Sequence, residues 1–157
     1  MPIAPTLQTY LARKHIDYDL VEHQKTDSSE RTAAESRFPA DRLAKGVVVR
    51  TGEGYFLVVV PASCRLRHGD LKGAFGRDCT LASEHELDQL FPDCAHGAVP
   101  PLGESYGLDV LLDDRLAAQP DVYLESGDHA TLVHMSQAQF AKLMANARHG
   151  CFADRAS

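Results

Sequence analysis

Two apolar runs, Lys45-Gly46-Val47-Val48-Val49-Arg50 and Tyr55-Phe56-Leu57-Val58-Val59-Val60, flank Thr51-Gly52-Glu53-Gly54 and constrain the fold more than any other segment. Two β-rich runs separated by a short glycine-containing gap predict a β-hairpin. Apolar residues occupy successive positions in both runs, so neither face of the resulting sheet can be left to solvent. The two strands therefore form the core. A chain of 157 residues that is 44% hydrophobic holds enough apolar material to do this within one domain spanning residues 1–157.

Around the hairpin the periodicity alternates between helix and strand. Leu7, Tyr10 and Leu11, with Ile16 beyond, recur at helical spacing behind a cap at Thr6, and Tyr18 to Val21 alternates as a strand does. Ser28 and Ser29 ahead of Glu30-Arg31-Thr32-Ala33-Ala34-Glu35 predict a short capped helix, and Phe38 to Leu43 a turn with helical tendency. Pro61 ends the second hairpin strand, Gly69 to Phe75 reads as a weak helix, and Cys79 to Ala82 as a short strand. Ser83-Glu84-His85-Glu86 is a capping box that opens a helix through Leu87 and Leu90, stopped by Pro92. Leu108 to Asp113, Asp121 to Glu125 and Ala130 to Met135 predict three more strands, and Ser136 caps a last helix from Gln137 to Ala147. Helices and strands interleaved without repeat or linker predict an α+β domain, a mixed central sheet flanked by helices.

Composition excludes several function classes. The N-terminus Met1-Pro2-Ile3-Ala4-Pro5 lacks the basic and apolar regions of a secretory signal, and no apolar run reaches the roughly 18 residues of a membrane span, so a cytoplasmic protein is expected. Cys64, Cys79, Cys94 and Cys151 contain no C-x-x-C pair and read as free thiols. Eight histidines, His15, His23, His68, His85, His96, His129, His134 and His149, are scattered without a helical His-x-x-x-His pair, so no metal is expected. A formal charge of -6 argues against a broad electrostatic grip on nucleic acid and leaves room only for a local contact.

The candidate chemistry is sparse. Gly97-Ala98-Val99-Pro100-Pro101-Leu102-Gly103 is a loop whose path is nearly fixed, because proline holds φ and glycine permits close approach. It could present backbone groups to a ligand, or simply turn the chain. Lys45, at the start of an apolar strand, should emerge at the sheet's edge or mouth, where it could hold an anion or merely be solvated. Gly127-Asp128-His129 lies between two strands and could aim His129 outward, while a turn histidine bonded to backbone is the plainer reading. Asp113 ends an apolar strand and is either a working carboxylate or, with Asp114 and Arg115, a helix cap. No G-x-S-x-G elbow, phosphate-binding glycine loop or zinc spacing is present in the sequence.

Taken in order, the strand beginning at Lys45, the hairpin, the G-x-x-x-P loop from Gly97 to Pro101, the strand ending at Asp113 and Gly127-Asp128-His129 resemble the YbaK/prolyl-tRNA-synthetase-associated domain family. The resemblance runs from about Thr32 to the last helix. It implies a free-standing aminoacyl-tRNA deacylase that edits in trans and needs no cofactor. Lys45, Gly97 and His129 would be its catalytic residues, with Ala98, Val99, Pro100, Pro101, Gly103, Asp113 and Gly127 around the substrate. The implied partner is the acceptor end of a mischarged tRNA, with prolyl-tRNA synthetase or an elongation factor alongside, and neither membrane nor DNA. A histidine at position 129 leans the substrate towards Ala-tRNA(Pro), with Cys-tRNA(Pro) as the neighbouring choice, whereas Gly46 departs from the polar residue that follows the lysine in many alanine-clearing members. Arg50, Arg65, Arg67 and Lys72 would form a local positive rim.

Such an activity makes physical sense. A difference of one methylene gives a synthetase only ~1–3 kcal/mol of discrimination, so a second sieve is useful. An ester already activated on ribose needs an oriented water and stabilisation of the tetrahedral intermediate, with no nucleophilic triad. Two other readings stay open: a non-catalytic relative that binds aminoacyl-tRNA or a synthetase, and a hydrolase of another small ester or amide.

Overall fold

The computed structural model describes residues 4–22, 40–52, 54–66, 79–94, 99–127, 131–151 and 153–155. In chain order these form α1 (Pro5–Arg13), β1 (Asp19–Glu22), a 3-10 turn (Ala40–Arg42), β2 (Leu43–Thr51), β3 (Gly54–Pro61), β4 (Cys64–Leu66), β5 (Thr80–Leu81) and α2 (Glu84–Leu90). A second 3-10 turn (Gly103–Tyr106), β6 (Asp109–Asp113), α3 (Asp114–Ala117), β7 (Asp121–Glu125), β8 (Thr131–Ser136), α4 (Gln137–Leu143), β9 (Arg148–Gly150) and β10 (Ala153–Arg155) complete them. The helices expected at Ser28 to Glu35 and Gly69 to Phe75 lie outside the described residues, as do Gly97, Ala98, His129, Arg67 and Lys72.

The hairpin forms as its sequence dictates, with Val47 opposite Val58 and Thr51 opposite Gly54. It sits in the middle of an eight-stranded sheet ordered β1-β8-β7-β2-β3-β6-β9, with β5 also on β2. The sheet is mixed: β2–β7, β3–β6 and β6–β9 are parallel, whereas β2–β3, β2–β5, β1–β8 and β7–β8 are antiparallel. Because successive side chains point to opposite faces, the consecutive valines serve two layers. Ala44, Val48, Leu57 and Val59 join α1, α4, Leu102 and Leu116 in the larger core, while Val49, Val58 and Val60 pack with Cys64 and Leu111 on the other face. The α+β architecture with a mixed central sheet is thus the one expected.

The ends of elements show where other forces win. Thr6 does not cap α1: Pro5 occupies the first turn, where its fixed φ suits a helix, and Ala4 stands at the cap position. The Thr6 amide, which has no partner within the helix, is satisfied from across the fold, donating to Asp93 Oδ2 at 2.8 Å. Ile16 falls beyond the helix, returned to the core after His15 turns left-handed at φ 55°. The capping box at Ser83 forms in full, with the Glu86 amide donating to Ser83 Oγ at 3.2 Å and the Ser83 amide to Glu86 Oε1 at 2.9 Å. The last helix stops at Leu143 rather than Ala147, because the chain must extend again to lay β9 beside β6, Leu111 opposite Arg148.

Candidate functional site

Strand β2 changes neighbours part-way along one edge. β7 pairs with it only at Leu43 and Ala44, and β5 only at Val49 and Arg50, which leaves Lys45, Gly46, Val47 and Val48 between the two. At about 3.3 Å per residue the opening from Ala44 to Val48 is roughly 13 Å long. Backbone groups alternate between edges, and Val48 turns its carbonyl to this edge, where it accepts from the Ala82 amide at 3.0 Å. The same alternation directs the amide and carbonyl of Gly46 into the opening.

The stiff loop is seated there. A Cβ placed on Gly46 would lie 3.0 Å from Leu57 Cδ1, 3.3 Å from Pro101 Cα and 3.5 Å from Val99 Cγ1, so the loop backbone lies directly over the glycine. Pro100, Pro101, Leu102 and Gly103 are all buried. Gly103 permits the return, since a Cβ there would come within 2.9 Å of Val110 Cγ2, and its carbonyl accepts from the Leu108 amide at 2.8 Å. Glycine inside a strand commonly marks such a close approach of another backbone. Gly46→Val is expected to lower stability by about 1–3 kcal/mol through overpacking, with Gly46→Ala losing less. Chemical denaturation measures both, and a valine variant as stable as wild type would mean that the loop does not rest on β2.

Lys45 points to the opposite face. Its ammonium donates to the Cys64 carbonyl at 2.9 Å, which half-buries it over the second core rather than leaving it solvated at a strand end. Adjacent strands carry acidic residues at the same level. Register places Leu124 beside Ala44, hence Glu125 next to Lys45; Lys45 lies opposite Val60, and Leu112 beside Val59 brings Asp113 next to Val60. Asp113 is fully buried and caps α3, accepting from the Arg115 amide at 2.9 Å. Glu125 accepts from the amides of Ser126 at 3.2 Å and Gly127 at 3.4 Å, which shapes the turn leading out of β7.

That turn meets the segment that follows α2. Gly127 has φ 109°, and a Cβ on it would lie 3.2 Å from Cys94 Sγ and 3.1 Å from the Ala4 Cβ. Cys94 thus packs directly against the turn that leaves β7. Its thiol lies 3.6 Å from Asp93 Oδ1 and 3.4 Å from the Tyr106 hydroxyl, which itself donates to Asp93 Oδ1 at 2.8 Å. Burial pushes the Cys94 thiol up to about 12 and raises Tyr106 as well, so both stay protonated near neutral pH. Burial works against the Asp93 carboxylate, but hydrogen bonds from Thr6, Tyr106 and Cys94 hold it below its ordinary value. Asp93, Cys94 and Tyr106 carried no sequence signal, because the cluster exists only through contacts between distant segments.

Lys45, with Glu125 beside it in register, thus lies on one face of β2, and Val99 and Pro101 lie over Gly46 on the other. Arg50 is engaged elsewhere, paired with Glu86 at 3.2 Å, and Glu86 also accepts from the Tyr55 hydroxyl. Backbone hydrogen bonding at Ser83, then the Tyr55 bond, holds Glu86 at about 2, so this carboxylate stays charged and offsets Arg50 in any positive rim. Among the described residues no group of acidic, histidine or cysteine side chains is arranged to hold a metal, and no helix is long and apolar enough to cross a membrane.

Known proteins share this fold. A solved structure described as a candidate trans-editing enzyme for prolyl tRNA synthetase is 23% identical and superposes with a TM-score of 0.83 over 98% of each chain. A hypothetical protein, 19% identical, gives 0.83 over 95% of this chain and 99% of its own. A candidate signal transduction protein from Marinobacter aquaeolei, also 19% identical, gives 0.75 over 94% of this chain but only 30% of its own length. No curated protein matches the sequence. At these identities the structures speak for the fold. The family itself comes from sequence: the model for the aminoacyl-tRNA editing domain matches residues 23–143, well over half of the 157, and the chain belongs to that family.

Proposed function

We propose that the protein is a trans-editing deacylase that hydrolyses the ester of a mischarged tRNA, Ala-tRNA(Pro) first and other small-side-chain species such as Cys-tRNA(Pro) next. The observation that carries this reading is the opening beside Gly46, bordered by the stiff loop on one face and by Lys45 on the other. The reaction adds water to the ester carbonyl; the tetrahedral intermediate collapses, the bond to the ribose oxygen breaks, that oxygen takes a proton, and the free amino acid leaves. Lys45 would hold the phosphate or ribose of the terminal adenosine. Gly97, Ala98 and the backbone through Val99, Pro100, Pro101 and Gly103 would position the aminoacyl group and the water, and a neighbouring ribose hydroxyl could serve as base. Gly127 would place His129 to narrow the side-chain pocket, and Asp113 would anchor the strand end beside it. A pocket walled by prolines selects by size.

The test is deacylation of Ala-tRNA(Pro), Cys-tRNA(Pro), Ser-tRNA and Pro-tRNA(Pro) by the wild-type protein. Clearance of Ala-tRNA(Pro) with Pro-tRNA(Pro) spared is the expected pattern. Failure to clear any of them overturns the deacylase reading in favour of a module that binds aminoacyl-tRNA or a synthetase.

A further inference from the structure

We propose that a cavity behind the loop's C-terminal end binds a small primary amine with a branched apolar body and no free carboxylate. The cavity encloses about 200 Å³ between α1, the 3-10 turn at Gly103 and the segment after α4. That exceeds the ~150 Å³ of a cavity able to take up benzene, and suits about six non-hydrogen atoms. Its floor is apolar, built from Leu102, Leu108, Val110, Leu143, Met144 and Ala147. Neither the Lys45 side of β2 nor the Cys94 cluster contributes to it.

The polar groups of the wall choose the ligand. Tyr10 is 6% exposed, and its hydroxyl makes no well-formed hydrogen bond among the described residues, the Glu104 carboxylate beside it lying out of good geometry. A buried hydroxyl without a well-formed bond is costly to the fold and is relieved by any ligand atom that reaches it. Burial, then the negative charge of Glu104, pushes that phenol up to about 12, so it remains a neutral hydroxyl. The rim carries two carboxylates, Glu104 and Asp109, and no basic residue lines the cavity. Lys14 reaches Glu104 from outside at 3.7 Å and Asn146 donates to it at 3.2 Å, which holds the carboxylate at the mouth. An ammonium is favoured beside such a rim, whereas a free carboxylate, as in a zwitterionic amino acid, is repelled by it. Amines, amino-acid amides and amino-acid esters fit this description. Because Gly103 forms part of the wall, an occupant touches the point where the stiff loop is anchored.

The experiment titrates the full-length protein with 3-methylbutylamine, its neutral isostere 3-methylbutan-1-ol and the anion 3-methylbutanoate, following methyl resonances of Leu108, Val110, Leu143 and Met144. Saturable shifts with the amine, at least about five-fold tighter than the alcohol as expected for a partly exposed charge pair, and no binding of the anion are the expected result. Tyr10→Phe and Glu104→Gln should each bring the amine to the level of the alcohol, and Ala147→Leu should fill the space and abolish the shifts. If Ala147→Leu fails to fold, Tyr10→Phe decides, since it removes a single oxygen. Absence of saturable shifts, equal binding of alcohol and amine, or an unchanged Tyr10→Phe variant overturns the proposal. Deacylation plays no part in these readouts, so they stand or fall apart from the editing reaction.

Discussion

Lys45→Met is expected to lower deacylation of the preferred mischarged tRNA by about 10²–10³, the usual loss when one preorganised charge or hydrogen-bond donor is taken from a reacting centre. Methionine keeps an unbranched stem of similar length and removes the ammonium, so packing over Val60 and Cys64 changes little. The Cys64 carbonyl loses the donor that reaches it at 2.9 Å, and an abandoned buried acceptor costs about 1–3 kcal/mol. The variant should therefore be somewhat less stable as well as slow. Lys45→Arg separates the two effects. Guanidinium keeps the charge and can still donate to the carbonyl, but its planar fork does not reproduce a compact ammonium, so stability should recover further than rate. If the lysine grips the adenosine phosphate in ground and transition state alike, the loss falls on KM; if it acts only as charge develops, it falls on kcat. Single-turnover deacylation beside urea denaturation reads all of this. A methionine variant within three-fold of the wild-type rate removes Lys45 from the machinery.

The parts of the fold governed by short-range rules were legible. The hairpin around Gly52 and the capping box at Ser83 are local devices, and both stand where the sequence puts them. Elements whose ends depend on distant partners were not. Thr6 looked like a cap because Ser, Thr, Asp and Asn usually serve there, yet Asp93, 87 residues away, supplies the acceptor. The last helix looked long because Met144 and Ala147 continue its apolar spacing, while β9 was invisible in Arg148-His149-Gly150, a segment made a strand only by the free edge of β6. At the site, Lys45 and the Val99 to Pro101 segment were recognisable as residues, but their meeting at β2 was not. That they stand on opposite faces follows from the alternation of β2 and from Gly46 lying beneath Pro101, a register no pattern of residue types discloses. Glu125 beside Lys45 likewise emerges only once β7 is laid parallel to β2.

Gly127→Ala should cost about 2–6 kcal/mol, a large loss for exchanging one hydrogen for a methyl. Two terms combine. At φ 109° an L residue is held in a sparsely populated region, worth about 1–3 kcal/mol, and the new methyl meets Ala4 Cβ at 3.1 Å and Cys94 Sγ at 3.2 Å, overpacking of about 1–3 kcal/mol. The terms separate in a double-mutant cycle. Ala4→Gly removes the nearest obstructing atom, and glycine is tolerated at a helix cap, so alone it should be close to neutral. Combined with Gly127→Ala it should restore part of the stability and leave the backbone strain, giving a favourable coupling of about 0.5–1 kcal/mol. The Ala4 amide donates to the Ser126 carbonyl at 2.9 Å, so the N-terminus clamps the turn while the methyl contact limits how it can shift. Zero coupling would assign the whole loss to φ and leave Ala4 a bystander. Full rescue would assign it to crowding and free the turn of strain. Partial rescue, with deacylation still depressed in the double variant, would tie the left-handed conformation of Gly127 itself to the placement of the segment that carries His129.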